Sequence, residues 1–310
     1  MIDGVLSIAK PRGLTSHDVV ACVRRAVGQR RVGHAGTLDP RAEGVLVVLL
    51  GRATRLSEYV MGGSKLYRFS VVFGIETDTL DLDGAVVREA PVDGVTAEAL
   101  AAACRSLVGS PLMAPPAYSA IKQEGRKLYQ LARAGQPVDV ATRATRINSL
   151  ALERVWSEGG RPMAEFVIEC ESGTYVRSVG REIASTCGTV GSVDRLVRER
   201  SGTFHLAEAA PLDAVLDCAR GGRIGEVLLD MRSAVASLPT HTASQEQALG
   251  LLHGNVAHMA ETGLPGGEPI AVLAEDGSLI AIAECRLTEQ GGALRPLKVL
   301  VTPPEYGSSA

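Results

Sequence analysis

The chain has 310 residues, 45% of them hydrophobic and 22% charged, a length and composition that predict about two globular domains. No apolar run is long enough to cross a bilayer and no export signal is recognisable, so we expect a cytoplasmic protein. The six cysteines form no C-x-x-C pair and the histidines form no ligand motif, so neither a disulfide framework nor a metal site is predicted.

The net charge of −3 hides a strong asymmetry along the chain. Residues 1–55 carry nine basic and four acidic side chains, and residues 118–147 carry six and two. Residues 76–98 have the opposite bias, with seven acids and a single arginine. One electropositive face would explain this pattern and would suit a nucleic-acid partner, although ordinary solvated faces would explain it as well.

The first predicted elements are a strand and a helix. The strand "GVLSIAK" ends at Pro11, and Thr15 or Ser16 then caps a helix that runs to Val27. Gly28 lies just beyond the predicted end of this helix, where glycine commonly terminates helices.

The stretch "GHAGTLDPRAEGVL" places an acidic residue, Asp39, between glycines and Pro40 and ahead of a buried apolar run. A residue before proline is kept out of the helical region, so the Asp39 carboxylate projects from an extended turn. Taken alone, Asp-Pro is usually only a turn, and a phosphate loop fits poorly because no G-K-[ST] follows the glycines. A catalytic carboxylate needs a cation to aim it and keep it ionised, and Arg177 is a candidate.

The rest of the chain predicts strands and helices without strict βαβ alternation, which favours an α+β fold. We predict strands at 65–74 and 162–173 and helices at 96–109 and 174–188. Arg177 and Arg181 lie four apart on one face of the last helix. The "DTLDLDG" stretch fails the register of a calcium loop.

Two segments differ from this core in amino-acid composition and in the elements that they predict. Residues 109–137 are rich in Pro, Gly, Lys and Tyr and predict an exposed excursion. Residues after about 237 predict short strands, with Asp276-Gly277 as a hairpin turn, and therefore a small β-rich second domain.

Five ordered blocks resemble the bacterial tRNA pseudouridine synthase B (TruB) family. They are "KPRGLTSH", "RVGHAGTLDPRAEGVL", "KLYRFSVVFGIETDTLDLDG", "PPAYSAIKQEGRKLY" and "SGTYVRSVGRE". The resemblance implies a pseudouridine synthase catalytic domain over residues 1–236, with a mixed or antiparallel sheet, flanking helices and a thumb-like RNA-binding insertion at about 110–146. It also implies a PUA-like RNA-binding domain at 237–304, followed by a flexible tail at 305–310.

The implied activity is isomerisation of uridine-55 in the T-loop of tRNA to pseudouridine, with base flipping and without a metal or other cofactor. Asp39 matches the catalytic aspartate of the family, Tyr67 the tyrosine that stacks on the flipped base, and Arg177 the arginine that pairs with the aspartate. Attack at C6, attack at C1′ and abstraction of a ribose proton all remain open for Asp39. The implied partner is the T-arm stem-loop, and the enzyme is expected to be a monomer that binds no membrane.

The resemblance assigns the other substrate-binding positions more loosely. Tyr175 is expected near the site and Leu196 in an apolar wall of the base pocket, while Lys10, His34 and Thr37 are expected to contact RNA or order loops. Lys65 matches the base of the site, and Lys122, Arg126 and Lys127 match the thumb. The sequence departs from the family after Leu196, where Val197, Arg198 and Glu199 replace the usual pair of arginines and small polar residue.

Two other functions fit the same sequence. An RNA chaperone could bind and refold the tRNA elbow with the same surface, although a pure binder has no need of a carboxylate that faces phosphates. A pseudouridine synthase with a different target RNA is the second alternative. A general nucleotide-binding metabolic enzyme is disfavoured because the phosphate loop is missing.

Overall fold

The computed structural model describes residues 1–118, 122–123, 126–127, 141–259, 263–288, 291–302 and 306. The α-helices in this part of the chain are α1 (Ser16–Val27), α2 (Ser57–Gly62), α3 (Ala97–Leu107), α4 (Val176–Thr186), α5 (Leu212–Arg220) and α6 (Gln245–Leu252). Short 3-10 helices cover Gly51–Leu56, Leu206–Glu208, Ile224–Glu226 and Met231–Val235.

The strands are numbered in chain order. Those before the thumb region are β1 (Gly4–Lys10), β2 (Val32–Ala35), β3 (Glu43–Leu50), β4 (Lys65–Phe73), β5 (Ile75–Thr77), β6 (Val86–Glu89) and β7 (Leu112–Met113). They are followed by β8 (Lys122–Gln123), β9 (Arg126–Lys127), β10 (Arg143–Ala144), β11 (Ile147–Glu158), β12 (Arg161–Cys170), β13 (Gly191–Ser201), β14 (Phe204–His205) and β15 (Ala210–Pro211). The last strands are β16 (Thr240–Thr242), β17 (Ala257–Met259), β18 (Pro269–Leu273), β19 (Leu279–Thr288) and β20 (Gly291–Val299).

A mixed sheet of nine strands organises the first two thirds of the chain, in the order β11-β12-β4-β13-β3-β1-β15. β14 joins this sheet beside β13, and β2 joins it beside β3. β13 runs parallel to β3 but antiparallel to β4. It therefore brings residues 191–201 between two strands that come more than a hundred residues earlier in the chain. The α+β prediction is confirmed.

Strand β3 is buried on both faces, which explains its continuous apolar sequence. Leu46, Val48 and Leu50 point into a core formed with helices α1, α3, α4 and α5. Val45, Val47 and Leu49 point to the opposite side. There they share a second core with residues of the C-terminal sheet, among them Ala271, Leu273 and Ile282.

The C-terminal part forms a sheet of five strands in the order β16-β18-β19-β20-β17, which confirms the predicted β-rich region. Helix α6 packs against it around a third apolar cluster that includes Leu251 and Leu294. The predicted hairpin turn at Asp276-Gly277 connects β18 to β19, and Gly277 adopts a positive φ of 83° there.

Helix α1 follows its sequence signals closely. Thr15 is the N-cap, and a capping box with Asp18 satisfies the first free N–H groups. Gly28 ends the helix in the left-handed conformation at φ 67°. The buried face consists of Ser16, Val19, Val20 and Val23. The start of this helix faces the turn that carries Asp39.

Candidate active site

The turn that carries Asp39 connects β2 to β3 and is anchored to the start of α1. Ser16 Oγ lies 3.1 Å from Leu38 O, to which it donates, and accepts from Leu38 N at 2.8 Å. Ala42 N donates to Asp39 O at 3.1 Å and closes the turn. The backbone of the turn is therefore fixed, but the Asp39 side chain is 37% exposed and can be reached by a ligand.

Lys10 supports the same turn from β1. Its ammonium donates to Ala42 O at 2.6 Å and to the carbonyls of Pro11 and Pro40. The side chain is only 1% exposed, so it orders the turn from inside the protein. Burial lowers the pKa of Lys10 to about 8, although the nearby Asp39 acts to raise it.

Arg177, near the start of α4, pairs with Asp39 across 138 residues of sequence. Arg177 Nε lies 2.9 Å from Asp39 Oδ2. The other nitrogens donate to Thr79 O at 2.7 Å and Tyr118 O at 3.1 Å, and Asp81 Oδ2 lies 3.5 Å from Nη1. The guanidinium is 6% exposed and held on several sides, so it presents one fixed edge to the Asp39 carboxylate.

A cavity of about 290 Å³ opens above this ion pair. It brings together seven of the nine predicted site residues: Thr37, Asp39, Lys65, Tyr67, Tyr175, Arg177 and Leu196. Lys10 and His34 do not line it. The remaining wall is formed by Gly36, Leu38, Met61, residues 171–174, Val176 and Arg198.

Tyr67 and Leu196 approach the cavity from neighbouring strands, β4 and β13. The register pairs Tyr67 with Arg198 and Leu196 with Phe69, so the two side chains are offset by one pleat on the same face. Burial raises the pKa of the Tyr67 phenol above its usual value, and the hydroxyl remains protonated at neutral pH. The result is an apolar wall and an aromatic ring beside a carboxylate.

Arg198 is the main cavity residue to which neither the sequence pattern nor the family resemblance assigns a role. It is fully buried, and its guanidinium donates to Val45 O at 2.8 Å and Gly36 O at 3.0 Å. Gly36 has a φ of 91°, and a Cβ there would lie 3.3 Å from Arg198 Nη1. Strand alternation could have predicted this position, because Arg198 lies on the same face of β13 as Leu196, which was already expected in the pocket wall.

Lys65 forms part of the cavity floor at the start of β4. Its ammonium donates to the carbonyls of Met61 and Gly63, and burial lowers its pKa to about 8. The side chain is therefore not a solvated surface lysine, although lysine composition alone would favour that interpretation.

Comparison with known proteins identifies the family. A family model described as TruB family pseudouridylate synthase (N terminal domain) matches residues 24–176. The tRNA pseudouridine synthase B of Geobacillus thermodenitrificans is 36% identical over 301 residues, which cover 96% of this chain and 99% of the relative. That of Symbiobacterium thermophilum is 42% identical over 253 residues, which cover 82% of each chain.

The chain belongs to the TruB family. It is therefore an isomerase, a pseudouridine synthase. The fold agrees with a solved structure, that of an H/ACA ribonucleoprotein bound to a substrate RNA containing 2′-deoxyuridine. One chain of it superposes with a TM-score of 0.74 at 21% identity, over 96% of the present chain and 85% of that chain.

About half of the predicted thumb of this TruB-family chain, residues 119–121, 124–125 and 128–140, lies outside the described residues. The three basic residues assigned to it are described only as parts of the paired strands β8 and β9: Lys122, Arg126 and Lys127. In the described residues, no helix is long and apolar enough to span a membrane. Nor do those residues contain a cluster of three or more His, Cys, Asp or Glu side chains with the geometry of a metal site.

His34, on β2 of this TruB-family fold, lies beside the turn rather than in the cavity. Its ring meets His17 edge-on, with 5.3 Å between the centroids. Within the described residues, His34 Nδ1 is buried without a hydrogen-bond partner. Burial, with smaller contributions from His17 and Arg198, lowers the pKa of His34 to about 4. The imidazole is therefore neutral at physiological pH.

This shift predicts a specific acid sensitivity. Between pH 6.5 and pH 4, the unfolded chain binds a proton at this position and the folded chain does not. Unfolding is therefore favoured as the pH falls through that window, and stability is regained as the pH rises. Chemical unfolding at pH 7 and pH 5 should show a smaller loss in His34→Gln than in the wild type. Equal losses in the two proteins would contradict a buried, neutral His34.

Proposed function

We propose that this enzyme converts uridine-55 in the T-loop of tRNA to pseudouridine, in the cytoplasm and as a monomer. The observation that carries the proposal is the ion pair between Asp39 and Arg177 at the base of a cavity walled by Tyr67 and Leu196. The relatives from Geobacillus and Symbiobacterium are both named tRNA pseudouridine synthase B, which supports tRNA as the substrate.

The cavity suits a single nucleoside better than a longer RNA segment. Its volume of about 290 Å³ lies at the lower limit of the roughly 300–1,000 Å³ common for ligand sites. A uridine inside a stacked loop must leave the stack to reach it, at a cost of a few kcal/mol. The ring of Tyr67 offers a π-face to the extruded base, and Leu196 closes the pocket against water.

The reaction exchanges one glycosidic bond for another within the same nucleotide. The C1′–N1 bond breaks, the uracil turns, and a C1′–C5 bond forms while the hydrogen of C5 is lost and N1 gains a proton. Atoms and electrons balance without an oxidant, a reductant or a donated group. The chain must supply a carboxylate beside the sugar and base, which is the role we assign to Asp39, and Arg177 fixes the direction of that carboxylate.

The other assigned residues surround this centre. Thr37 and Tyr175 lie in the cavity wall, where we propose that they contact the nucleotide. Lys65 and Lys10 fix the backbone around the cavity and the turn through hydrogen bonds to carbonyls, and His34 lies beside the turn, outside the cavity lining. We also propose that the thumb at 110–146 closes on the T-arm and that the C-terminal domain from about residue 237 is a PUA-type RNA-binding domain. Phosphate contacts from the basic N-terminal segment would make the affinity fall with salt.

Tritium release from a T-arm hairpin labelled at C5 of the target uridine tests the function. Conversion at C5 must release the label, so we expect stoichiometric release from this hairpin and little from an unrelated hairpin with the same stem length. Equal release from both hairpins would contradict T-loop specificity. Tight binding of the T-arm hairpin without release would favour the RNA chaperone.

A further inference from the structure

Arg41, two residues after Asp39, connects the catalytic turn to two other segments. Its Nε donates to Asp194 O at 2.6 Å, and its Nη2 lies 2.9 Å from Asp194 Oδ1 on β13. Its Nη1 pairs with the carboxylate of Asp83 in the loop that follows β5. The Arg41 side chain is only 11% exposed, although it follows an exposed proline in a surface turn.

The loop reached by Arg41 is the same loop that holds Arg177. Thr79 O accepts from Arg177 Nη1, and Asp81 Oδ2 lies 3.5 Å from the same nitrogen. The loop is itself attached to β13, because Val193 N donates to Leu80 O at 3.0 Å and Val193 O accepts from Leu82 N at 3.1 Å. Leu80 adopts a left-handed φ of 62°, a conformation that its surroundings must maintain.

These contacts close a ring around the Asp39–Arg177 pair. Asp39 contacts Arg177 directly. Arg41, two residues further along the chain, pairs with Asp83 in the same loop whose Thr79 carbonyl accepts from Arg177. Ser16 and Lys10 already hold the turn from α1 and β1. Arg41 ties the residues after Pro40 to β13 and to the loop that holds Arg177, so it fixes the turn relative to its partner arginine.

We propose that Arg41 is a positioning residue that fixes the Asp39 turn relative to Arg177, and that its loss slows the chemical step rather than RNA binding. This role rests on the proposed catalytic function of Asp39. An arginine suits it because its nitrogens reach a carbonyl and two carboxylates at once, whereas a lysine ammonium offers a single point of attachment. Because Asp83 and Asp194 neutralise the charge of Arg41 locally, this side chain is also a poor ligand for an RNA phosphate.

Single-turnover tritium release over a range of excess enzyme separates the two effects. The maximal rate reports the chemical step, and the enzyme concentration at half-maximal rate reports binding. Arg41→Met is expected to lower the maximal rate about 10- to 100-fold, the scale of a misplaced catalytic group, with the half-saturating concentration within about threefold of the wild type. Arg41→Lys should recover part of the rate.

The matched control is Arg154→Met, which removes an equal charge from an exposed arginine on the edge strand β11 and should leave the maximal rate unchanged. In an Asp83→Ala/Asp194→Ala background, Arg41→Met should cause a much smaller further loss, because both side-chain partners of Arg41 are already removed. If Arg41→Met fails to fold, the Asp83→Ala/Asp194→Ala variant takes its place under the same criteria.

An unchanged maximal rate, or a loss seen only as weaker binding, would overturn the role of Arg41. The wild type separates this inference from the function on which it rests. A wild type that releases no tritium contradicts the proposed function itself, whereas an active wild type with an equally active Arg41→Met contradicts the positioning role alone.

Discussion

Asp39→Asn is expected to lower tritium release from the T-arm hairpin by at least about 10³-fold, the scale found when an essential catalytic group is removed. Asparagine keeps the shape of aspartate and can still accept a hydrogen bond from Arg177, but it carries no negative charge. The turn is held by backbone contacts to Ser16 and Lys10, which this substitution does not touch. Binding of the hairpin and the melting temperature should therefore stay close to wild type.

The two measurements must be made on the same preparations, because only the combination is informative. Release by both proteins would show that the carboxylate is dispensable and that the central assignment is wrong. Loss of binding together with release would show that Asp39 acts in RNA recognition instead.

Arg177→Met is expected to cause the second large loss, in both activity and stability. The guanidinium is almost fully buried, pairs with Asp39 and Asp81 and donates to two backbone carbonyls. A methionine side chain can form none of these contacts. Removing one partner of a buried ion pair typically costs about 3–5 kcal/mol, and here it leaves the carboxylate of Asp81 buried. We expect a drop of at least about 10²-fold in single-turnover rate, since the carboxylate of Asp39 is no longer aimed.

The variant Arg181→Met provides the control for this experiment. Arg181 lies one turn further along α4 and contacts Ala114 O and Glu182 instead of Asp39. It should retain most of the activity, and thermal melting of both variants would show how much of the Arg177 effect is structural. Full activity in Arg177→Met would refute the need for the pair.

Local features of the fold were predictable from the sequence because their causes are local. The capping box and terminal glycine of α1 involve residues within one turn of each end. The double burial of β3 follows from an unbroken apolar run, and the last hairpin follows from Asp276-Gly277. In each case, the residues that specify the element are also the residues that form it.

The candidate site was predictable only in part. Asp39 stands out by its position before a proline, but its pairing with Arg177 became an expectation through family resemblance, because contacts across such a separation leave no trace in periodicity. The burial of Lys10 and Lys65 was not predictable, since lysine is mostly a surface residue and only the fold shows that carbonyls converge on each ammonium. Arg198 could have been placed from strand alternation, whereas the ties of Arg41 to Asp194 and Asp83 required the tertiary structure.

The two-sided burial of β3 also bears on the order in which the protein is completed during synthesis. β3 leads directly out of the turn that carries Asp39, and one of its faces belongs to a cluster that includes Leu273, Ile282 and Leu300. These residues leave the ribosome more than two hundred positions after β3, and such long-range contacts form late in folding. The strand that follows Asp39 therefore gains its full packing only when the chain is nearly finished and the C-terminal sheet has formed.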